Sequence, residues 1–176
     1  MNPLEIKYLP VYRAAAAAAN AASATPMPAW WPGCAAAEAW CETGGFGSFP
    51  EMPMLAGGTP SYNCLGIKAF GGYRGPTVAA DGTEALSDGG MSGPQADNWR
   101  VYASFEACFA DQIAMLHGQK NADGTLRYQA ALDAATPEEY IGAECAKWST
   151  DPQKAANVLA TWRAHQDLLG AEDGEQ

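Results

Sequence analysis

Glu42 is the residue whose type and setting point most directly to chemistry. It follows the apolar run Ala39-Trp40-Cys41, and Gly44-Gly45 comes almost directly after it. Burial at the end of an apolar helix raises the pKa of a carboxylic acid, and an acid that stays protonated can serve as a general acid. The two glycines leave the adjacent backbone open to a substrate. The local pattern alone is more typical of a solvated glutamate near the end of a helix.

The cysteines and histidines indicate no comparable site. Five cysteines cannot all be paired, and no CxxC spacing suggests zinc or a redox dithiol. We interpret them as small apolar core residues: Cys34, Cys41, Cys64, Cys108 and Cys145. A Cys–His nucleophile is disfavoured, because His117 and His165 lie near the ends of predicted helices. No HExxH, Walker loop or GxGxxG is present, so we predict neither a metal nor a cofactor.

Composition narrows the class of protein. The chain has 176 residues with 48% apolar and 17% charged side chains, which is typical of one globular domain. The 20 acidic against 10 basic residues give a net charge of -10, which argues against nucleic acid and against an anionic membrane surface. The longest apolar stretch, Ala14–Ala19, is far short of the ~20 residues of a membrane-spanning helix.

The elements that must position Glu42 are mostly helical. Alanine-rich residues 8–23 predict one helix, and a second begins at Pro32 and ends after Glu42. Ser104 is predicted to cap a helix over 105–116. Further helices are expected over 126–134, over 137–147 after the capping sequence Thr136-Pro137-Glu138-Glu139, and from Asp151-Pro152, before a flexible tail over 170–176.

The glycine- and proline-rich middle of the chain, residues 46–102, predicts a small β lobe with long cleft-lining loops. A turn-rich hairpin is expected over 77–90, and the alternation in Trp99-Arg100-Val101-Tyr102 predicts a short strand. The expected fold class is therefore mainly α (α+β). It is a single domain over 1–176, with a helical body, a small β-hairpin lobe and a cleft between them.

Four blocks of sequence resemble those of glycoside hydrolase family 73, the bacterial and phage glucosaminidases. Residues 37–48 end a helix in Glu-Thr-Gly and continue with an aromatic residue, Gly and Ser, as the family does. Residues 62–69 are similar to the family's Asn-Asn-Leu-Phe-Gly-Ile-Lys-Ala, 99–105 to its Phe-Arg-Val-Tyr-x-Ser-Phe, and 147–152 to its Tyr-Ala-Thr-Asp-Pro. The resemblance rests on the ordered set, which covers Pro32 to about Leu159.

The resemblance implies a lysozyme-like fold and cleavage of the N-acetylglucosaminyl-β-1,4-N-acetylmuramic acid bond of bacterial peptidoglycan. It assigns the general-acid role to Glu42. The second carboxylate of such enzymes activates water or stabilises the cationic transition state. The resemblance places it in the β lobe at Glu84, after the matching turn Tyr73-Arg74-Gly75. Gly82 replaces the family's threonine there, so Asp81 and Asp88 remain alternatives; all three acids are also ordinary turn residues.

Substrate contacts are expected from aromatic side chains that stack on sugar rings and from one amide. The candidates are Phe46, Tyr62, Tyr73, Trp148 and Asn63, of which Asn63 either holds the cleft loop or binds an acetamido group. Trp148 stands where the family commonly has tyrosine, and indole neither accepts a hydrogen bond nor ionises. We expect Trp99 in the core, and Arg100 and Lys68 as braces of the lobe.

The sequence thus predicts an endo-β-N-acetylglucosaminidase that binds peptidoglycan glycan strands, acts outside the cytoplasm as a monomer and does not insert into membranes. A muramidase is the alternative enzyme. An inactive wall-binding module is the alternative outside enzymes, suggested by the departures at Cys41, Gly82 and Trp148. Residues 1–7 lack the pattern of a signal peptide. We therefore expect delivery by phage lysis, by a particle or through a trimmed signal.

Overall fold

The computed structural model describes residues 3–43, 60–70, 72–82, 90 and 95–169. Two helices, α1 (Pro3–Ala22) and α2 (Trp31–Thr43), precede the strands β1 (Thr77–Gly82) and β2 (Gln95–Arg100). The helices that follow are α3 (Phe105–Gly118), α4 (Gln129–Leu132), α5 (Pro137–Trp148), α6 (Lys154–Ala164) and α7 (Gln166–Leu169). The described part of the chain is therefore a helical body interrupted once by a two-stranded sheet, as predicted.

Helix α2 lies at the centre of the body. Every residue from Trp31 to Trp40 is buried, and the alanines among them let the surrounding helices α1, α5, α6 and α7 approach closely. Gly33 is required for one of these contacts, because a Cβ at that position would lie 2.8 Å from the carbonyl oxygen of Leu169 in α7. The buried helix thus carries Glu42 on its last turn, at the point where it leaves the core.

Aromatic residues fill the space around α2. Trp31 donates a hydrogen bond from Nε1 to the Tyr140 hydroxyl at 2.8 Å, which satisfies two polar groups inside the core. Its ring meets Phe109 edge to face at 6.4 Å, and Tyr12 meets Phe105 in the same way at 5.0 Å. The Trp31 contacts join α3 and α5 to the central helix, and the Tyr12 contact joins α1 to α3.

Two predicted helix starts are confirmed by their capping bonds. The Ser104 hydroxyl accepts a hydrogen bond from the Ala107 N–H at 3.2 Å and begins α3. The Thr136 hydroxyl accepts one from the Glu139 N–H at 3.2 Å and begins α5, while the Glu139 carboxylate accepts from the Ala135 N–H at 2.9 Å. Each bond satisfies a backbone donor that the first turn leaves unpaired.

Three predicted boundaries are wrong, each for a local reason. Helix α1 begins five residues before Tyr8, since Pro3 suits a first turn and Leu4 packs against the core. Helix α4 is shorter than 126–134, because Leu126 pairs with Lys120 in a β-bridge. Helix α6 starts at Lys154, after a turn in which the Asp151 carboxylate accepts the Gln153 N–H at 2.8 Å.

The sheet is antiparallel, with Thr77 opposite Arg100 and Gly82 opposite Gln95. The predicted strand over 99–102 is wrong at both ends. Strand β2 already begins at Gln95, and after Arg100 the Val101 N–H donates to the Pro76 carbonyl and the Tyr102 N–H to the Ser61 carbonyl, outside the ladder. Residues 61–69, called here the 61–69 segment, run beside β2. The Ala69 N–H donates to the Asn98 carbonyl at 2.7 Å. The sheet and the 61–69 segment together form the β lobe.

The cysteines are free thiols, four of them buried and Cys41 half-buried. This agrees with their interpretation as small apolar residues. Within the part of the chain that the structure describes, no helix has the length and apolar character needed to cross a membrane. The tail from residue 170 lies outside the described residues.

Candidate active site

Glu42 lies at the seam between the helical body and the β lobe. Its side chain is 29% exposed, whereas the ten residues from Trp31 to Trp40 on the same helix are buried. A Cβ added to Gly66 would be 3.2 Å from Glu42 Oε2 and 3.7 Å from the ring of Trp99. The 61–69 segment therefore lies directly against the exposed carboxyl group, and the Trp99 ring of β2 lies close to Gly66 as well.

Gly66 has a special backbone conformation, with φ of +61°. Side chains other than glycine rarely adopt this left-handed region, and the close approach to Glu42 leaves no room for a methyl group without a shift. The sequence shows Gly66 only as one member of a resembling block. Its position against the acid depends on the tertiary fold.

Lys154 is buried behind Glu42 and contacts it directly. Its ammonium group binds Glu42 Oε1 and lies 3.0 Å from Glu38 Oε1, with Lys154 6% and Glu38 2% exposed. Burial acts to lower the pKa of Lys154, but the carboxyl groups of Glu42, Glu38 and Glu144 outweigh it and raise the pKa well above its usual value. Lys154 therefore carries its charge throughout the neutral range.

Glu38 is one turn before Glu42 on α2, so both face the same side of the helix. Gln112 of α3 donates a hydrogen bond from Nε2 to Glu38 Oε2 at 2.8 Å. Burial raises the pKa of Glu38, and the charge of Lys154 opposes that rise. Burial, reinforced by the charge of Glu38, raises the pKa of Glu144 well above its usual range. We call these five residues, Glu38, Glu42, Gln112, Glu144 and Lys154, the Lys154 cluster.

Sequence reasoning missed most of this cluster. The spacing of four between Glu38 and Glu42 is a signal that was available, because it puts two carboxylates on one helix face. Lys154 gave no such signal, since it lies 112 residues from Glu42 in the sequence. Glu144 reads as one acid among several on a polar helix, and only the structure shows that it is buried.

Asn63 fastens the 61–69 segment to itself and to β2. Its amide nitrogen donates to the Ile67 carbonyl at 2.8 Å and to the Arg100 carbonyl at 2.9 Å, and its oxygen accepts the Ile67 N–H at 2.8 Å. Both amide hydrogens are thereby used. Of the two roles that the sequence left open for Asn63, these bonds correspond to holding the loop.

Arg100 and Lys68 brace the lobe, as expected. Arg100 donates to Asp111 Oδ2 on α3 at 2.6 Å, and the Tyr102 hydroxyl donates to the same oxygen at 2.5 Å. Lys68 lies 2.7 Å from Asp97 Oδ2. We call the group Asn63, Arg100, Tyr102 and Asp111 the lobe anchor, since it ties the lobe to the helical body.

The predicted aromatic contacts occupy different surroundings. Tyr62 is half-buried with φ of 54° and meets Phe105 edge to face at 5.1 Å. Tyr73 lies under the Arg100 guanidinium at 4.4 Å. Trp148, at the end of α5, packs on Tyr128 at 6.1 Å. Their roles as substrate contacts stay predictions.

The expectation that Trp99 is a core residue is wrong. It is half-buried, its indole N–H donates to the Ala80 carbonyl at 3.3 Å, and Lys68 lies 5.3 Å from its ring centre. Its ring edge faces Gly66 beside Glu42. Its neighbours on β2 are not buried either: Asn98 is exposed and Arg100 is half-buried, so this part of the strand lies at the surface.

The predicted second carboxylate, Glu84, lies outside the described residues, as do its alternative Asp88 and the aromatic candidate Phe46. Asp81 belongs to β1, where its backbone pairs opposite Ala96. Among the residues that the structure describes, no group of three or more His, Cys, Asp or Glu side chains is arranged to hold a metal ion.

Comparison with known proteins agrees with this geometry. The family model for glucosaminidases, described as mannosyl-glycoprotein endo-beta-N-acetylglucosaminidase, matches residues 15–167. The peptidoglycan hydrolase FlgJ of Pseudomonas aeruginosa is 36% identical over 111 residues, covering 62% of this chain and 26% of that protein. The Salmonella typhimurium FlgJ is 33% identical over 104 residues, covering 58% and 30%. The chain thus spans about a quarter to a third of the length of these curated relatives.

Solved structures share the fold. A truncated glycoside hydrolase domain of Salmonella typhimurium FlgJ superposes with a TM-score of 0.65 at 26% identity, covering 92% of this chain and 97% of that one. A peptidoglycan hydrolase mutant from Sphingomonas sp. A1 gives 0.70 at 23% identity, covering 93% and 96%. The predicted lysozyme-like architecture is confirmed. The chain belongs to the glucosaminidase family, glycoside hydrolase family 73, which its motifs resemble.

Proposed function

We propose that the chain is an endo-β-N-acetylglucosaminidase that hydrolyses the N-acetylglucosaminyl-β-1,4-N-acetylmuramic acid bond of bacterial peptidoglycan. Family membership supports the reaction class, and the FlgJ relatives support the substrate. The enzyme acts on the cell wall, outside the cytoplasm, after release by phage lysis, by a particle or through a trimmed signal.

Glu42 is the general acid in this proposal. The observation that carries it is the placement of one partly exposed carboxyl group at the end of an otherwise buried helix, directly against Gly66 and beside Trp99. A glycosidic oxygen held at this seam is within reach of the acid, and the glycine lets the sugar backbone approach. Glu84 assists by activating water or by stabilising an intermediate formed with the substrate's own acetamido group.

The test compares Glu42→Gln with wild type on purified cell walls, following loss of turbidity. Removing a general acid lowers the rate by about 10²- to 10⁴-fold. Glu106→Gln is the matched control, because it removes an exposed carboxylate on α3 and should lyse walls at the wild-type rate. A Glu42→Gln variant with a native circular dichroism spectrum and undiminished lysis contradicts the proposal.

Analysis of the new reducing ends identifies the bond that is cut. A glucosaminidase leaves N-acetylglucosamine at the reducing end, whereas a muramidase leaves N-acetylmuramic acid. Binding of wild-type protein to insoluble walls without release of fragments identifies an inactive wall-binding module. Glu84→Gln, assayed in parallel, tests the second carboxylate, with Asp88→Asn as its comparison.

A further inference from the structure

The polar contacts around the Lys154 ammonium group join residues of three helices. Gln112 on α3 fixes Glu38 on α2, Glu38 lies 3.0 Å from Lys154 on α6, and Lys154 contacts Glu42 at the end of α2. The result is a continuous chain of polar contacts that begins in the core and ends at the exposed carboxyl group. A lysine ammonium has three donors, and this chain directs two of its contacts toward carboxylates.

Stability alone does not account for this arrangement. A buried lysine among three carboxyl groups loses hydration that ion pairing only partly returns, and apolar residues of similar volume are often at least as stabilising. Glu144 Oε1 and Gln112 Oε1 are also buried without a hydrogen-bond partner among the described residues. Glu42, at 29%, is far more exposed than Lys154 at 6% and Glu38 at 2%. The buried ammonium charge of Lys154 therefore contacts one carboxyl group that reaches the surface, that of Glu42.

We propose that Lys154 is a positioning residue for Glu42, which holds the Glu42 carboxyl group at the seam and, through competition from Glu38, sets how readily that group releases its proton. This inference rests on the proposed function of Glu42 as the general acid. Lys154 touches no substrate in this role. It acts on the reaction only through the orientation and protonation of Glu42.

The charged and titratable groups that face Lys154 determine the direction in which each substitution should move the pH profile. Helix α2 contributes Glu38, Glu42 and the Cys41 thiol, whose pKa burial raises to about 11, so that it stays uncharged. Helix α5 contributes Glu144 and the Cys145 thiol; burial raises the pKa of both above their usual ranges. Helix α3 contributes only the neutral amide of Gln112. Glu38 is therefore the main competitor of Glu42 for the ammonium group.

Lys154→Met and Glu38→Gln are expected to act in opposite directions on the pH profile. An ammonium group in contact with a carboxyl group favours the ionised form, so the alkaline limb of kcat/KM in Lys154→Met is expected to move to higher pH. Loss of the Glu38 charge leaves Lys154 to Glu42 alone, so the limb in Glu38→Gln moves to lower pH. Lys154→Arg keeps the charge and leaves the limb in place.

A loss of Glu42 positioning should also be visible in kcat, separately from the pH profile. At the optimum pH of each variant, Lys154→Met is expected to lower kcat by about 10- to 100-fold with little change in KM, because a misplaced acid affects chemistry more than binding. The substrate is a soluble glycan fraction prepared from cell walls, assayed by new reducing ends. Lys120→Met is the matched control, since it removes an exposed lysine at the end of α3.

A folded Lys154→Met with an unshifted alkaline limb overturns the inference. If Lys154→Met does not fold, the double variant Glu38→Gln/Lys154→Met removes both buried charges together, and its limb must still move to higher pH. The single variant Glu38→Gln must move the alkaline limb of kcat/KM to lower pH. Retained activity in Glu42→Gln overturns the proposed function instead. If Glu42→Gln is inactive but the alkaline limbs of the Lys154 and Glu38 variants do not move, only the role of Lys154 is overturned.

Discussion

The lobe anchor and the Lys154 cluster are two polar networks of similar size that are built in different ways. In the lobe anchor, Asn63 forms three hydrogen bonds with the backbone, and Asp111 accepts from both Arg100 and Tyr102. In the Lys154 cluster, three carboxyl groups surround one ammonium group, and three buried oxygen atoms have no hydrogen-bond partner among the described residues; one of them, Glu38 Oε1, is ion-paired with Lys154.

This difference suits the two networks to different roles. The lobe anchor stabilises the fold, whereas the Lys154 cluster surrounds the proposed acid with charged groups. A network whose donors and acceptors are all matched gives stability and a defined geometry. A buried network with surplus carboxyl groups gives shifted pKa values at a cost in stability, and such shifts concentrate at functional sites. We therefore expect mutations in the lobe anchor to lower mainly the free energy of unfolding. Mutations in the Lys154 cluster should change mainly the pH dependence of activity and stability.

Asn63→Ala should have the largest effect on stability. It removes three buried hydrogen bonds and leaves the Ile67 N–H group without its acceptor, while the Ile67 carbonyl keeps the Arg100 N–H, so the free energy of unfolding should fall by roughly 3 kcal/mol. The Tm should then fall by about 6 to 12 °C, measured by differential scanning calorimetry. Asn98→Ala is the control, because that side chain is exposed on β2. An equal Tm in the two variants would show that the hydrogen bonds of Asn63 do not stabilise the lobe.

Gly66→Ala tests the place where the two networks meet. The left-handed backbone at φ of +61° should cost about 1 to 2 kcal/mol of stability with any side chain. The added Cβ, 3.2 Å from Glu42 Oε2, should in addition lower kcat by about tenfold or more through displacement of the acid. Kinetics and melting are measured on the same preparation.

Gly124→Ala separates the two causes in this experiment. Gly124 has φ of +85°, but a Cβ added there meets no atom within 4 Å. We expect the same kind of backbone cost in both variants and normal kcat in Gly124→Ala. An equal loss of activity in both would mean that the contact with Glu42 has no separate importance.

Glu144→Gln should have the smallest effect, with the opposite sign. Burial raises the pKa of Glu144 above its ordinary 4.5, so the folded protein binds this proton more tightly than the unfolded chain. That contribution to stability is complete below pH 4.5 and is lost as the pH rises toward the folded pKa. Urea titrations across this range should show a flatter pH dependence for Glu144→Gln and about 1 kcal/mol more stability at neutral pH. An unchanged slope would contradict the raised pKa.

Local signals in the sequence were enough to predict α2, the capped helices and the position of Glu42. The alanine run, Ser104 and Thr136 act on neighbours within one turn, so their effect is visible in a single stretch of sequence. The β lobe was recognised from its glycine and proline content, but the end of β2 was misplaced. The reason is that Val101 and Tyr102 find their partners at Pro76 and Ser61 rather than in the ladder.

The surroundings of Glu42 depend on contacts between distant parts of the chain. Lys154 reaches Glu42 only because α6 packs on α2, and Gly66 reaches it only because Asn63 folds the 61–69 segment back on β2. Trp99 was expected in the core as an aromatic residue, yet it lies half-buried on β2, next to the exposed Asn98. Resemblance to the family predicted Glu42 as the acid but carried no information about the buried charges behind it.

The packing of α2 also determines where this protein can change. Ala35, Ala36, Ala37 and Ala39 are completely enclosed, so any larger side chain there displaces a neighbouring helix. We expect substitutions to be tolerated less on α2 than at the exposed positions of the sheet, such as Thr77, Ala79 and Asn98. A library randomised at those exposed positions leaves α2 and Glu42 in place, whereas the same library placed on α2 yields mainly chains that do not fold.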